Sequence, residues 1–303
     1  MHSPVERDLA ITFAGGGSRA FYQLGFLERW ADELLPRTAA VAGCSAGAAM
    51  ATLLVSGRVE ETRTFFAEQR RGVRGLVDLR ALRREGSPFP HEGIYRRTLL
   101  HGLAEGGFER VRQAPFPLYF VASAIPPVLP IVLGIALGLG TYQLEKRLRP
   151  ARLHPRLPQR VGFAEHAVDA REGATPEELV ELVLSSSSTP PFTSRGRHRD
   201  RRLLDGSLID NAPAFLAERA PGVRRNLVLL TRPYPEGSTG QRGHRLYVAP
   251  REKLPIKRWD YREVAPVEQT LAAGRADADH FESDLQRFLT DAAHRVAGRD
   301  DSH

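Results

Sequence analysis

The sequence predicts an α/β fold, a mostly parallel sheet covered by helices, and two observations carry that prediction. From the N-terminus, short apolar runs alternate with segments whose apolar residues recur at helical spacing, as in strand–helix–strand crossovers. Two strand-to-helix junctions, Gly15-Gly16-Gly17 and Gly43-Cys44-Ser45-Ala46-Gly47, consist of small residues that allow a sharp turn. At 303 residues, 42% hydrophobic and 26% charged, the chain is globular in composition. It is long for one domain without demanding two.

Leu9 to Ala14 is the first strand, stopped by the three glycines. Ala20 to Leu35 follows as a helix with Phe21, Leu24, Leu27, Trp30 and Leu34 on one face. Thr38 to Gly43 is the second strand, Ser45 to Ser56 the second helix, and Val59 to Arg70 a further amphipathic helix. The stretch onward to Gly107 reads as a helical or irregular cap. Phe116 to Ser123 returns as a buried strand, with Gly162 to Ala170 as its candidate partner. Thr175-Pro176-Glu177-Glu178 opens a helix with a threonine cap, proline at the first position and acids in the first turn. Leu203-Leu204 leads into Asp205-Gly206, and Asn226 to Thr231 and Leu246 to Ala249 are further strands. Val267 to Val296 is helical with a break expected near Gly274, and the residues through His303 read as a frayed polar tail.

Residues 124–158 do not fit a short sheet connection. Ile125 to Leu144 carries no charge, and Lys146, Arg147, Arg149 and Arg152 follow at once. The length approaches a membrane span and the cations resemble a positive-inside flank, but Pro126, Pro127 and Pro130 break its first third. The uninterrupted part, Ile131 to Leu144, reaches only about 21 Å as a helix against about 30 Å of hydrocarbon. Three readings stay open: a segment on or partly in an anionic membrane surface, a buried helix or lid, and a true span. The first is preferred, with Arg and Lys among headgroups and Leu and Ile in the acyl boundary.

The formal charge of +7, from 43 basic and 36 acidic side chains, favours contact with anionic surfaces. Neither zinc-finger spacing nor an aromatic RNA-binding signature accompanies Arg195, Arg197, Arg199, Arg201 and Arg202, which disfavours nucleic acid as the partner. The single cysteine, Cys44, excludes an internal disulfide and a cysteine-built zinc site, and suits a reducing compartment. The N-terminus has no apolar signal-peptide core. We therefore expect a cytoplasmic protein, peripheral on the inner face of a membrane if 125–144 docks there.

Gly43-Cys44-Ser45-Ala46-Gly47 has the Gly-x-Ser-x-Gly pattern between a strand and a helix. A nucleophile on a strained turn needs small neighbours, and the following helix points its positive end at charge developing beside Ser45. A purely structural tight turn is the alternative. Gly15, Gly16 and Gly17 could hold an oxyanion with backbone N–H groups. The same loop matches a dinucleotide fingerprint as Gly15-x-Gly17-x-x-Ala20, but that motif wants a carboxylate closing the second strand, which here ends in Gly43-Cys44-Ser45. Arg19 fixes the loop, neutralises a phosphate or is simply solvated. None of the ten histidines has a catalytic context: His198 and His244 sit in Arg- and Gly-rich stretches, His280 and His294 in the terminal helical region. Asp205, ending a strand before Gly206, could accept the proton of Ser45, although taken alone it is also a plausible capping or turn aspartate.

Together the three motifs resemble the patatin-like phospholipase family, whose pattern is a Gly-Gly-Gly-x-Arg/Lys-Gly loop, a Gly-x-Ser-x-Gly elbow and a later Asp-Gly-Gly/Ala. This chain supplies Gly15-Gly16-Gly17-Ser18-Arg19-Ala20, Gly43-Cys44-Ser45-Ala46-Gly47 and Asp205-Gly206-Ser207. Ser185 to Phe192 is similar to the family's Ser- and Pro-containing approach to its aspartate, and Asn211 and Pro213 to the Asn-x-Pro after it. The resemblance covers roughly Leu9 to Tyr261, with 124–158 as an insertion. It implies a three-layer α/β/α fold with a mostly parallel central sheet, and a serine acyl hydrolase of phospholipids or related lipids. Residues 1–265 would form the catalytic domain and 266–303 a C-terminal helical region and tail. It further implies a histidine-free dyad of Ser45 and Asp205, an oxyanion hole of Gly15, Gly16 and Gly17, and support from Arg19, Gly43, Gly47 and Gly206. No cofactor or metal is called for, because nucleophile, base and oxyanion donors are all protein groups. A soluble carboxylesterase or lysophospholipase and a non-enzymatic lipid-binding regulator are the alternatives. Two departures bear on the site: Ala20 replaces the loop's last glycine, where a methyl disfavours positive φ, and Ser207 adds a hydroxyl beside the base.

Overall fold

The computed structural model describes residues 6–77, 88–149, 153–154 and 157–290. Among them are nine strands: β1 (Leu9–Phe13), β2 (Thr38–Cys44), β3 (Leu118–Ala124), β4 (Ala164–Asp169), β5 (Gly196–His198), β6 (Arg201–Leu204), β7 (Arg225–Leu229), β8 (Gly240–Arg242) and β9 (Arg245–Val248). They form one sheet in the order β5-β6-β3-β2-β1-β7-β9-β8, with β4 also on β3. The centre, β3-β2-β1-β7-β9, is parallel, as the sequence predicts. The outer pairings are antiparallel: β4 and β6 on β3, β5 on β6, β8 on β9. Every residue of β1 is buried, which explains why Leu-Ala-Ile-Thr-Phe reads as a continuous apolar run.

Alternation along the strands divides the core into two layers. Leu9, Ile11 and Phe13 of β1, with Val41, Leu118, Phe120, Leu227 and Leu229, face the thicker layer. It contains α1 (Phe21–Arg37), α2 (Ala46–Ser56), α3 (Val59–Gln69), α4 (His91–Leu103), α5 (Gly107–Arg112), and residues of later helices. On the other face Ala10, Ala40, Ala42, Cys44 and Val121 pack against Ile125, Phe163, Leu208 and Leu216. That layer holds α6 (Ile131–Leu148), the short α7 (Leu157–Arg160) and α9 (Ala214–Ala217). Between α7 and α9 in the chain, α8 (Pro176–Ser186) lies in the thicker layer and is capped by Thr175, whose side chain accepts the Glu178 N–H at 3.2 Å.

The expected break near Gly274 is not there. The helix α10 (Val267–His280) runs through Gly274 and stops at Phe281, before α11 (Glu282–Thr290). Gly274 is instead a contact: a side chain there would meet the Tyr22 carbonyl oxygen at 2.2 Å, because α10 lies directly on α1. Tyr22 Oη donates to Asp277 Oδ2 at 2.9 Å and Trp30 Nε1 to the Ala278 carbonyl at 3.2 Å. The anticipated continuation to Val296, the polar tail and the cation Arg152 lie outside the described residues.

The long uncharged run enters a surface helix, α6. In α6, Gly134 packs on Ile125 and Gly138 on Leu208 and Phe163, and Glu145 is buried, while Val132, Leu133, Leu137, Leu144 and Leu148 are exposed. Among the described residues no helix is long and apolar enough to cross a membrane, which overturns the span reading. The physical reason is that the prolines keep 126–130 out of the helix and the cations begin at Lys146.

Candidate active site

Two strand ends meet beside β3. β2 pairs with β3 as far as Cys44 opposite Val121. β6 continues along the same strand in the opposite direction, with Leu204 opposite Ser123. The residue after β2 is Ser45 and the residue after β6 is Asp205, so the chain delivers them face to face. Ser45 Oγ donates to Asp205 Oδ2 at 3.0 Å, and both residues are buried.

Ser45 has φ +53° and ψ −129°, a left-handed region that costs a non-glycine residue about 1–3 kcal/mol. Its surroundings hold it there. Its N–H donates to Ser186 Oγ at 2.8 Å, and that hydroxyl donates to the Val121 carbonyl at 2.6 Å. The Ser45 carbonyl accepts the Ala48 N–H at 3.0 Å as α2 begins. A side chain on Gly47 would fall 2.3 Å from the Phe13 carbonyl oxygen, so glycine lets the start of α2 sit on the end of β1.

Asp205 is equally fixed. Its N–H donates to the Ser188 carbonyl at 2.7 Å, and its Oδ1 accepts the Ser207 N–H at 2.8 Å. Arg258 Nη2 lies 3.4 Å from Oδ2. The serine run Ser185–Ser188 thus orients both partners, Ser186 through Ser45 and Ser188 through Asp205. Burial, and then the neighbouring Asp205, push the Cys44 thiol well above its ordinary range, so it stays protonated.

In the glycine loop the N–H groups of Ala14, Gly15 and Ser18 donate to the carbonyls of Leu229, Asn211 and Arg258. Among the described residues the Gly16 and Gly17 N–H groups find no acceptor in the chain. Gly15 is an anchor: its carbonyl accepts Thr231 Oγ1 at 2.8 Å and Asn211 Nδ2 at 3.2 Å. Ala20 has φ −67° and ψ −16°, ordinary right-handed backbone, so the methyl at this departure from the family pattern is accommodated without strain. Ser207 is accommodated too, through the N–H it gives Asp205. Arg19 Nε donates to the Gly16 carbonyl at 3.3 Å, and burial followed by Arg258 and Arg232 holds its guanidinium below its ordinary pKa.

A cleft of about 710 Å³ in front of Ser45 is lined by Gly17, Ala46, His91, Tyr95, Trp259 and Tyr261, among others. Gly17, Ala46, Tyr95 and Tyr261 also border an apolar pocket walled by Phe21, Leu24, Met50, Leu53, Phe66 and Leu99. His91, Trp259, Tyr261 and Arg258 escaped the sequence reading because no local motif marks them. Burial lowers the His91 pKa. The histidines set aside on sequence lie elsewhere: His198 against His166 at 2.9 Å, His244 beside Glu218, His280 against Phe281. His294 is outside the described residues.

The structure thus sets a serine on a strained elbow against a buried carboxylate, at the strand ends of a sheet between helical layers. The family model for patatin-like phospholipase matches residues 11–218, well over half of the chain, and the chain belongs to that family of lipid acyl hydrolases. Among solved structures it is similar to the crystal structure of VipD from Legionella pneumophila. The identity is 12%, over 94% of this chain and 68% of that chain, with a TM-score of 0.47. No curated protein matches.

Proposed function

We propose that Ser45 and Asp205 form the catalytic dyad of a hydrolase that cleaves fatty-acyl esters of phospholipids or related lipids at a membrane surface. The observation that carries this reading is the 3.0 Å hydrogen bond from Ser45 Oγ to Asp205 Oδ2. Asp205 accepts the hydroxyl proton as Oγ bonds to the ester carbonyl carbon. Collapse of the tetrahedral adduct breaks the bond to the leaving alcohol, which takes that proton, and leaves acyl-Ser45. Water then gives a proton to Asp205 and attacks the acyl group; fatty acid departs and Oγ recovers its proton.

Gly16 and Gly17 stabilise the oxyanion with N–H groups that have no other acceptor, and Gly15 holds the loop in place. The first turn of α2 adds its dipole from the neighbouring strand end, since β1 and β2 are parallel with Phe13 opposite Gly43. Arg19 braces the loop, while Gly43, Gly47 and Gly206 permit close packing around the dyad; a side chain on Gly206 would meet the Val121 carbonyl oxygen at 2.1 Å. The apolar cavity beyond Tyr95 and Tyr261 suits the acyl chain. The exposed leucines of α6, followed by Lys146, Arg147 and Arg149, suit an anionic lipid surface on the cytoplasmic side of a membrane. In this scheme residues 1–265 are the catalytic domain, and the helices after 265 brace α1.

Purified Ser45→Ala and Asp205→Asn proteins should each lose about 10³-fold or more in phospholipid turnover while keeping the wild-type melting temperature within a few degrees. Full activity in Ser45→Ala would sink the assignment.

A further inference from the structure

A second cleft, of about 570 Å³, adjoins the glycine loop at Gly15 and Gly16. Five cations line it, Arg19, Lys146, Arg149, Arg232 and Arg258, against a single carboxylate, Glu145. Glu145 is buried and accepts the Leu157 N–H at 2.7 Å. Among the described residues Arg19, Lys146 and Arg149 have no carboxylate within ion-pair distance, and Arg258 reaches only Asp205. Like charges converging from four separate stretches of chain repel one another. Burial, and then Arg258, Arg232 and Arg19, push the Lys146 ammonium down to about 8. Such crowding is relieved by a polyanion.

The cleft is next to the reacting atoms. A side chain on Gly15 would lie 3.3 Å from Ser45 Cβ, and Arg258 lines both this cleft and the one in front of Ser45. A ligand whose ester carbonyl sits at Ser45 therefore has its polar end within reach of the cations. Guanidinium forks match the oxygens of a phosphate, and a phosphomonoester is largely dianionic at neutral pH. A zwitterionic headgroup fits poorly: its ammonium would meet the arginines, and the one carboxylate in the lining is engaged by the Leu157 N–H.

We propose that this cleft binds the dianionic phosphate of a lipid with a phosphomonoester headgroup, so that the hydrolase selects such lipids over zwitterionic ones. The proposal rests on the Ser45 reading for its substrate, but the phosphate site can be tested without turnover. In the first arm, wild type and Lys146→Gln/Arg149→Gln hydrolyse dihexanoyl phosphatidate and dihexanoyl phosphatidylcholine, both monomerically dispersed. In the second, glycerol 3-phosphate and inorganic phosphate are titrated calorimetrically into Ser45→Ala with and without that double substitution. Both substituted residues are exposed, Lys146 in the last turn of α6 and Arg149 just after it, and Lys146→Arg serves as the charge-retaining control.

Wild type should prefer phosphatidate by about tenfold or more in kcat/KM, and the double substitution should bring the ratio towards one. Glycerol 3-phosphate should bind Ser45→Ala and weaken by about tenfold or more in the double variant, with Lys146→Arg retaining affinity. Equal turnover of the two lipids by wild type, or a ratio unmoved by the substitutions, would overturn the proposal. So would binding of inorganic phosphate without any headgroup preference, which would make free phosphate the ligand. A protein that hydrolyses neither lipid yet binds glycerol 3-phosphate through Lys146 and Arg149 would contradict the Ser45 dyad and support the phosphate cleft.

Discussion

A methyl group at position 17 would fall 2.0 Å from the Arg258 carbonyl oxygen, at a backbone φ of +58°. Gly17→Ala therefore combines a left-handed alanine, which costs about 1–2 kcal/mol, with a collision against backbone that also accepts the Ser18 N–H. Gly72 has φ +77° and open space around it, so Gly72→Ala isolates the dihedral effect. Gly17→Ala should lose about tenfold or more in ester turnover through displacement of the loop donors, whereas Gly72→Ala should lose only stability. Thermal unfolding and kinetics on both proteins check this, and matching turnover losses would contradict it. At this scale the motifs were legible because each is local: three glycines, a five-residue elbow, Asp205-Gly206. What holds them was not. Thr231 and Arg258 reach the site from distant parts of the chain, and nothing in their neighbours' identities marks the contact. Ser188 and Asn211 lie in stretches that the family resemblance singles out, but the bonds they make are not local. Nor could the sequence separate Gly15 from Gly16 and Gly17, since that distinction depends on the Asn211 carbonyl taking the Gly15 N–H.

Among the elements, α6 carries the residues of two proposals on one helix. Its inward side brings Tyr142, Glu145 and Lys146 to the cationic cleft, while Leu133 and Leu137 stand exposed on the outside. An exposed leucine entering the acyl boundary gains about 1 kcal/mol or more. Leu133→Ser/Leu137→Ser should accordingly weaken flotation with anionic vesicles by about tenfold or more, and raised salt should weaken it further. Flotation indifferent to both changes would remove the membrane role of α6. The uncharged run and its basic end were readable in sequence, and Pro126, Pro127 and Pro130 were enough to argue against a span. The break assigned to Gly274 failed for a specific reason. A glycine within a helical pattern can mark close approach of another helix as well as an end, and only the position of Tyr22 on α1 distinguishes the two.

For the molecule as a whole, the parallel centre followed from strand–helix alternation, but the direction of β6 did not. Its antiparallel run along β3 depends on Leu204 pairing Ser123, a register that no local pattern encodes. That register turns Asp205 from a plausible turn residue into the neighbour of Ser45, and it also explains why the sequence alone left the aspartate ambiguous. The central claim is that this meeting of strand ends activates Ser45. Mass-spectrometric timing of fluorophosphonate labelling on wild type and Asp205→Asn tests it most directly. The account predicts a covalent adduct on Ser45 in wild type, forming about 10²-fold or more slowly in Asp205→Asn. No adduct on Ser45, or one that forms equally fast without the carboxylate, would contradict it.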